Sequence, residues 1–196
     1  DKMGVWISGF FGSGKSHFLK ILSYLLENKE VGGKKAIDYF VDDNKISDHM
    51  VLADMKLAGT IPTDVVLFNI DSKSEVNGKQ SKVAIVSVLQ NVFNEMQGFS
   101  GSNPFLADLE RNLTEEGKYD LFKEKFEESF GSAWQDSRSD FDFIQDDVVE
   151  VLDEIGFMSV EAGRNFCEKA TGEYTYKVED FARLVKKYLD KKESNH

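Results

Sequence analysis

Cysteine is nearly absent. The single thiol, Cys167, excludes an internal disulfide and the usual zinc-ligand spacings. It lies in a helical pattern, where it reads as a small buried side chain rather than a reactive group. Long apolar runs are missing as well: none approaches membrane-spanning length, and no succession of charged, apolar and small residues marks a secretion signal. A soluble chain is expected, located in the cytoplasm. Positive charge is in deficit. A net charge of -11 makes the average surface repel nucleic acid and anionic lipid, and no local basic patch interrupts it. DNA contact by this acidic chain itself is therefore not expected. No convincing repeat or low-complexity segment appears, and 196 residues at 41% hydrophobic and 30% charged suit one compact domain or a core with a helical lobe.

Against these absences stands one dense motif. Gly9-Phe10-Phe11-Gly12-Ser13-Gly14-Lys15-Ser16 fits G-x-x-x-x-G-K-[ST], the phosphate-binding loop. Gly4 to Ser8 before it is apolar with β-branched and aromatic residues, and His17 to Asn28 after it has a long helical pattern, so the expected context is strand, loop, helix. Glycines at 9, 12 and 14 permit a tight turn that aims successive amides inward at a β-phosphate. A helix starting near Lys15 adds the positive end of its dipole. Lys15 is expected to reach the β- and γ-phosphates, and the Ser16 hydroxyl to coordinate a bridging Mg²⁺. The implied ligand is ATP or another nucleoside triphosphate with Mg²⁺. His17 follows the loop and could touch a phosphate or base, but a place on the partly exposed first turn of the helix is the favoured expectation. Phe10 and Phe11 could stack on a nucleotide, but packing of the loop against neighbouring structure is the favoured expectation.

Further along, Val31 to Lys35 reads as a turn, Lys35 to Asp42 as either a short strand or a helix turn, and Ile46 to Leu57 as a helix. After the break at 60–63, Val65-Val66-Leu67-Phe68 within Asp64 to Asp71 reads as a second strand, its continuous apolarity suiting a sheet covered on both faces. Ser81 to Gln97 is an amphipathic helix, and Asn103-Pro104 starts another with an N-cap and a first-turn proline. Everything beyond looks helical. Phe122, Phe126 and Phe130 recur every four residues, Ser132 with Gln135 forms a candidate capping box, and segments 159–170 and 177–191 close the chain. Asp140, Asp142, Asp146, Asp147, Glu150, Asp153 and Glu154 read as a solvated acidic face rather than a cation site.

The expected fold is α/β, a P-loop NTPase-like partial parallel sheet with a large, mostly helical C-terminal part. Residues 1–98 would form the nucleotide-binding core and residues 99–196 a helical region. Hydrolysis needs a strand ending in Asp, usually followed by a Glu that activates water. Asp71 is the one candidate magnesium ligand at such a strand end, yet Ser72 occupies the place of the catalytic Glu. Two strands and a doubtful third are also too few for a doubly wound sheet. A start at Asp1 and a polar tail at Lys191 to His196 read as the ends of an excised piece.

The wording from Trp6 to Lys20, with Lys35 to Phe40 and Asp64 to Ser74, resembles the N-terminal ATPase region of the large P-loop proteins of bacteriophage exclusion (BREX) systems, the BrxC/PglY family. The likeness is specific around the loop and the second strand. It implies an AAA+-like antiphage-defence ATPase acting with a methyltransferase and other defence proteins on DNA. It further implies that the Asp-Glu strand follows the helical region, so that Asp71 would be a second-strand residue and not the magnesium ligand, and Lys15 would serve catalysis in the parent while this segment binds nucleotide without hydrolysing it. Two other classes compete. A nucleotide or small-molecule kinase uses the same loop but needs an arginine-bearing lid, and Arg111, Arg138, Arg164 and Arg183 are scattered. A nucleotide-gated scaffold that never hydrolyses is the other. Unpaired strand edges would favour oligomers.

Overall fold

A computed structural model describes residues 4–69 and 82–192. The described residues are 64% helical, and their strands form one two-stranded antiparallel sheet. The expected partial parallel sheet of a P-loop NTPase is therefore corrected. Gly4 to Ser8 is irregular, and so are the described residues 64–69 of the expected second strand. The physical reason lies in hydrogen bonding: a strand exists only where its amides and carbonyls find a neighbour. Apolarity signals a demand for burial but supplies no neighbour. Here Val5 and Trp6 remain 73% and 92% exposed, and Leu67 is 56% exposed, as no sheet covers them.

The contacts divide the chain into two units, residues 1–67 with 185–196 and residues 68–184. In the first, α1 (Lys15–Glu27) leads into a hairpin of β1 (Glu30–Val31) and β2 (Lys34–Lys35), paired Glu30 to Lys35 and Val31 to Lys34. The hairpin occupies the expected turn, with Gly32 and Gly33 both left-handed. The ambiguous stretch after it is helical, α2 (Ala36–Asp42), and α3 (His49–Ala58) follows with Asp48 capping its first amides. Asn28 ends α1 in a left-handed conformation and donates to the Gly59 carbonyl at 2.8 Å, so one side chain ties the ends of α1 and α3 together. Tyr39 donates to the Val31 carbonyl and fastens the hairpin to α2. The core here is thin: among the described residues of this unit only Ser23 and Ile37 are buried.

The second unit is built on α4 (Lys82–Met96), α5 (Pro104–Glu115), α6 (Tyr119–Phe130), the short α7 (Trp134–Ser137), a 3-10 turn at Arg138–Phe143, α8 (Gln145–Glu154) and α9 (Val160–Ala170). A final helix, α10 (Val178–Lys191), crosses the division between the units at Leu184. Leu106, Leu109 and Leu113 recur at helical spacing on α5 and meet Phe122 and Phe126 of α6, Trp134, and Val148 and Leu152 of α8. The Trp134 ring meets Phe122 and Phe126 edge-on, with centroids 5.1 and 5.2 Å away. Each such side chain contributes about 1.5–3 kcal/mol by leaving water. A Cβ on Gly163 would stand 3.2 Å from a Val149 methyl, so glycine is what lets α9 approach α8 so closely. Asn103 accepts from the Phe105 and Leu106 amides and donates to the Ala170 carbonyl, capping the start of α5 and the end of α9 at once. The expected Ser132–Gln135 capping box is not formed: the N-cap of α7 is Ala133, without a side-chain cap.

Candidate phosphate-binding site

The loop before α1 takes its shape from two left-handed glycines. Gly12 has φ +79° and Gly14 φ +83°, conformations that L side chains pay about 1–2 kcal/mol to enter. Between them, Ser13 donates its amide to the Phe10 carbonyl at 3.2 Å, closing a tight turn. Gly14 is the N-cap of α1 and provides no side chain, and its carbonyl accepts the Phe18 amide at 2.9 Å. Helix geometry leaves the amides of Gly14, Lys15, Ser16 and His17 without intrahelical acceptors, and no side chain caps them. An uncapped helix start favours an anion.

Lys15, on the first turn of α1, folds back over this loop. Its ammonium donates to the Gly9 carbonyl at 2.9 Å, the Phe10 carbonyl at 2.7 Å and the Ser13 hydroxyl at 3.4 Å. The cation is thus held inside the turn by acceptors from 9, 10 and 13, beside the free helix start. A Cβ at Gly9 would come within 2.8 Å of the Ser13 Oγ, so the loop closes onto that glycine. Ser16 and His17 are both exposed on the first turn of α1.

Phe10 and Phe11 differ from expectation. They are 92% and 107% exposed, so neither packs the loop against neighbouring structure. Asp71, the candidate magnesium ligand, lies outside the described residues. Among the described residues no group of three or more His, Cys, Asp or Glu side chains comes together as a metal-binding cluster. The acidic residues from Asp140 to Glu154 lie on exposed or half-exposed positions of the 3-10 turn and α8.

One polar centre escapes a pattern reading. Glu110 is fully buried on the inward face of α5 and accepts from the Trp134 indole at 2.7 Å, Arg138 at 2.7 Å, the Tyr119 hydroxyl at 3.0 Å and the Ser100 amide at 2.5 Å. Burial, with the neighbouring Glu110 charge second, pushes the Tyr119 phenol far above its ordinary value. Next to it Arg111 donates to Asp108 and to Asn94, both at 2.7 Å, and lies 5.3 Å from the Phe99 ring centre. Two of the four arginines that looked scattered in sequence are therefore structural members of the helical unit. The signal was available in part: position 110 falls within the apolar stripe of Leu106, Leu109 and Leu113, where an acid needs partners.

No helix among the described residues is long and apolar enough to cross a membrane. No protein-family model matches the chain, and no solved structure matches it.

Proposed function

We propose that the loop Gly9 to Ser16 binds the phosphates of ATP or a related nucleoside triphosphate together with Mg²⁺. The observation that carries this is the position of Lys15: its ammonium is gathered into a turn shaped by left-handed Gly12 and Gly14, directly before an uncapped helix start. An incoming phosphate finds the ammonium, the dipole of α1 and unpaired amides converging from one end. Ser16, exposed on the same turn, supplies the hydroxyl for Mg²⁺. Phosphate capture needs only this local geometry and does not depend on a parallel sheet.

The likeness of residues 6–20 and 64–74 to the BREX ATPases supports placing the chain in a cytoplasmic antiphage-defence protein, with a methyltransferase and other defence factors as partners. In that setting nucleotide contacts at the loop hold one arrangement of the complex and their loss on hydrolysis releases it. The function assigned to this chain itself is nucleotide binding.

Calorimetric titration with ATP and Mg²⁺ tests the proposal. Wild-type chain should bind with a single site per chain, Lys15→Ala should lose binding, and Ser16→Ala should weaken it chiefly when Mg²⁺ is present. Unchanged ATP affinity in Lys15→Ala would show that the lysine has no such role.

A further inference from the structure

Charge and apolar exposure are distributed very unevenly. The first unit holds twelve lysines against eleven acids, while the second holds twelve lysines and arginines against twenty-four acids. The whole negative excess of the chain therefore resides in residues 68–184. Among the described residues, large exposed apolar side chains show the opposite bias, with sixteen in the first unit and six in the second. Within the first unit, residues 4–26 contain no acid at all, only Lys15, Lys20 and His17 among ionisable side chains other than tyrosine. This stretch displays Trp6 at 92% exposure, Phe10 and Phe11 as given above, and Phe18 at 54%. α1 is apolar on most of its circumference, yet Ser23 is its one buried residue. Such a helix is normally covered.

The second unit presents one matching feature. Phe143 is 89% exposed at the end of the 3-10 turn, and the exposed acids Asp140, Asp142 and Asp146 flank it. An exposed aromatic flanked in sequence by carboxylates is the complement of a stretch that exposes aromatics and whose charged side chains are lysines. We propose that the exposed Trp6, Phe10, Phe11 and Phe18 of one copy pack against Phe143 of a second copy, head to tail, with the exposed Lys20 facing Asp140, Asp142 and Asp146. A symmetric contact of the loop surface with itself would instead set lysines against lysines and bury no acid. Because each copy carries both faces, one copy can engage a second through either of them. It rests on exposure and charge and does not depend on nucleotide binding.

Sedimentation velocity over a dilution series tests this with the whole chain. Wild type should self-associate, and more weakly at high salt. Phe143→Ser and Phe11→Ser, both at exposed positions outside the core, should each lower the association constant about tenfold or more while circular dichroism melting stays unchanged. An equimolar mixture of the two variants should form a one-to-one dimer and nothing larger, since one intact contact remains between them. The inference is overturned if wild type stays monomeric, if Phe143→Ser associates as wild type does, or if the mixture fails to pair. The last two outcomes would point to a symmetric contact or to a partner of other chemistry.

Discussion

The ammonium of Lys15 lies 2.7 Å from the carbonyl oxygen of Phe10, five residues earlier in the chain. The contact crosses the whole glycine turn, so the ammonium is gathered into the loop to which phosphate binding is assigned. In the proposed capture the ammonium would exchange these oxygen acceptors for the more highly charged oxygens of a phosphate.

The turn itself can be tested without touching a charged group. Gly14→Ala puts a Cβ where φ is +83°, with no heavy atom within 4 Å, so the effect is conformational and not steric. It should cost about 1–2 kcal/mol of the loop conformation and weaken ATP binding roughly tenfold. Calorimetry on the variant checks this. Gly4→Ala, at a glycine that likewise has open space but no left-handed φ, should bind as wild type does.

Glu110 anchors the helical unit. Glu110→Ala leaves the Trp134 indole and the Ser100 amide without their acceptor and the Arg138 guanidinium without its carboxylate, and should lower stability by about 3 kcal/mol or more in denaturant unfolding. Glu110→Gln keeps one carbonyl oxygen in nearly the same volume and should cost clearly less. Equal losses would show that packing volume, and not hydrogen bonding, sets the role of this side chain.

Cys167 gives the pH dependence. Burial, with Asp146 as the lesser cause, pushes its thiol up to about 11. The unfolded thiol ionises near its ordinary value of about 8.5. Between these values the unfolded chain has released a proton that the native chain retains, so stability falls as pH rises through the window. Below it the contribution is complete. Unfolding titrations from pH 8 upward should show this slope, and Cys167→Ala should remove its lower part. The Tyr174 and Tyr176 phenols, also raised chiefly by burial, add a loss of the same sign at higher pH.

The parts of the molecule that depend on local chemistry were legible in sequence, and those that depend on distant partners were not. The glycines at 9, 12 and 14 announced a tight turn, which the structure makes with Gly12 and Gly14 left-handed, and Asn103-Pro104 announced the start of α5, since both are decided within a few residues. The helices from Lys82 to Lys191 followed from apolar spacing because a helix satisfies its own backbone. The strands at 4–8 and 64–69 could not be settled that way, because a strand must borrow its hydrogen bonds from another segment. Ser132–Gln135 had the letters of a capping box, but the chain enters α7 one residue later than that box requires. Glu110 was missed because an acid in a helical pattern reads as solvent-facing, whereas its indole, guanidinium and phenol partners lie nine to twenty-eight positions away.

Phosphate capture by the loop is tested most directly by backbone amide NMR of the labelled chain titrated with ATP and Mg²⁺. The amides of Gly12, Ser13, Gly14, Lys15 and Ser16 should shift strongly and saturably, those of α8 and α9 should stay in place, and the loop shifts should disappear in Lys15→Ala. Loop amides that do not move at saturating nucleotide, or that move equally in Lys15→Ala, would contradict it.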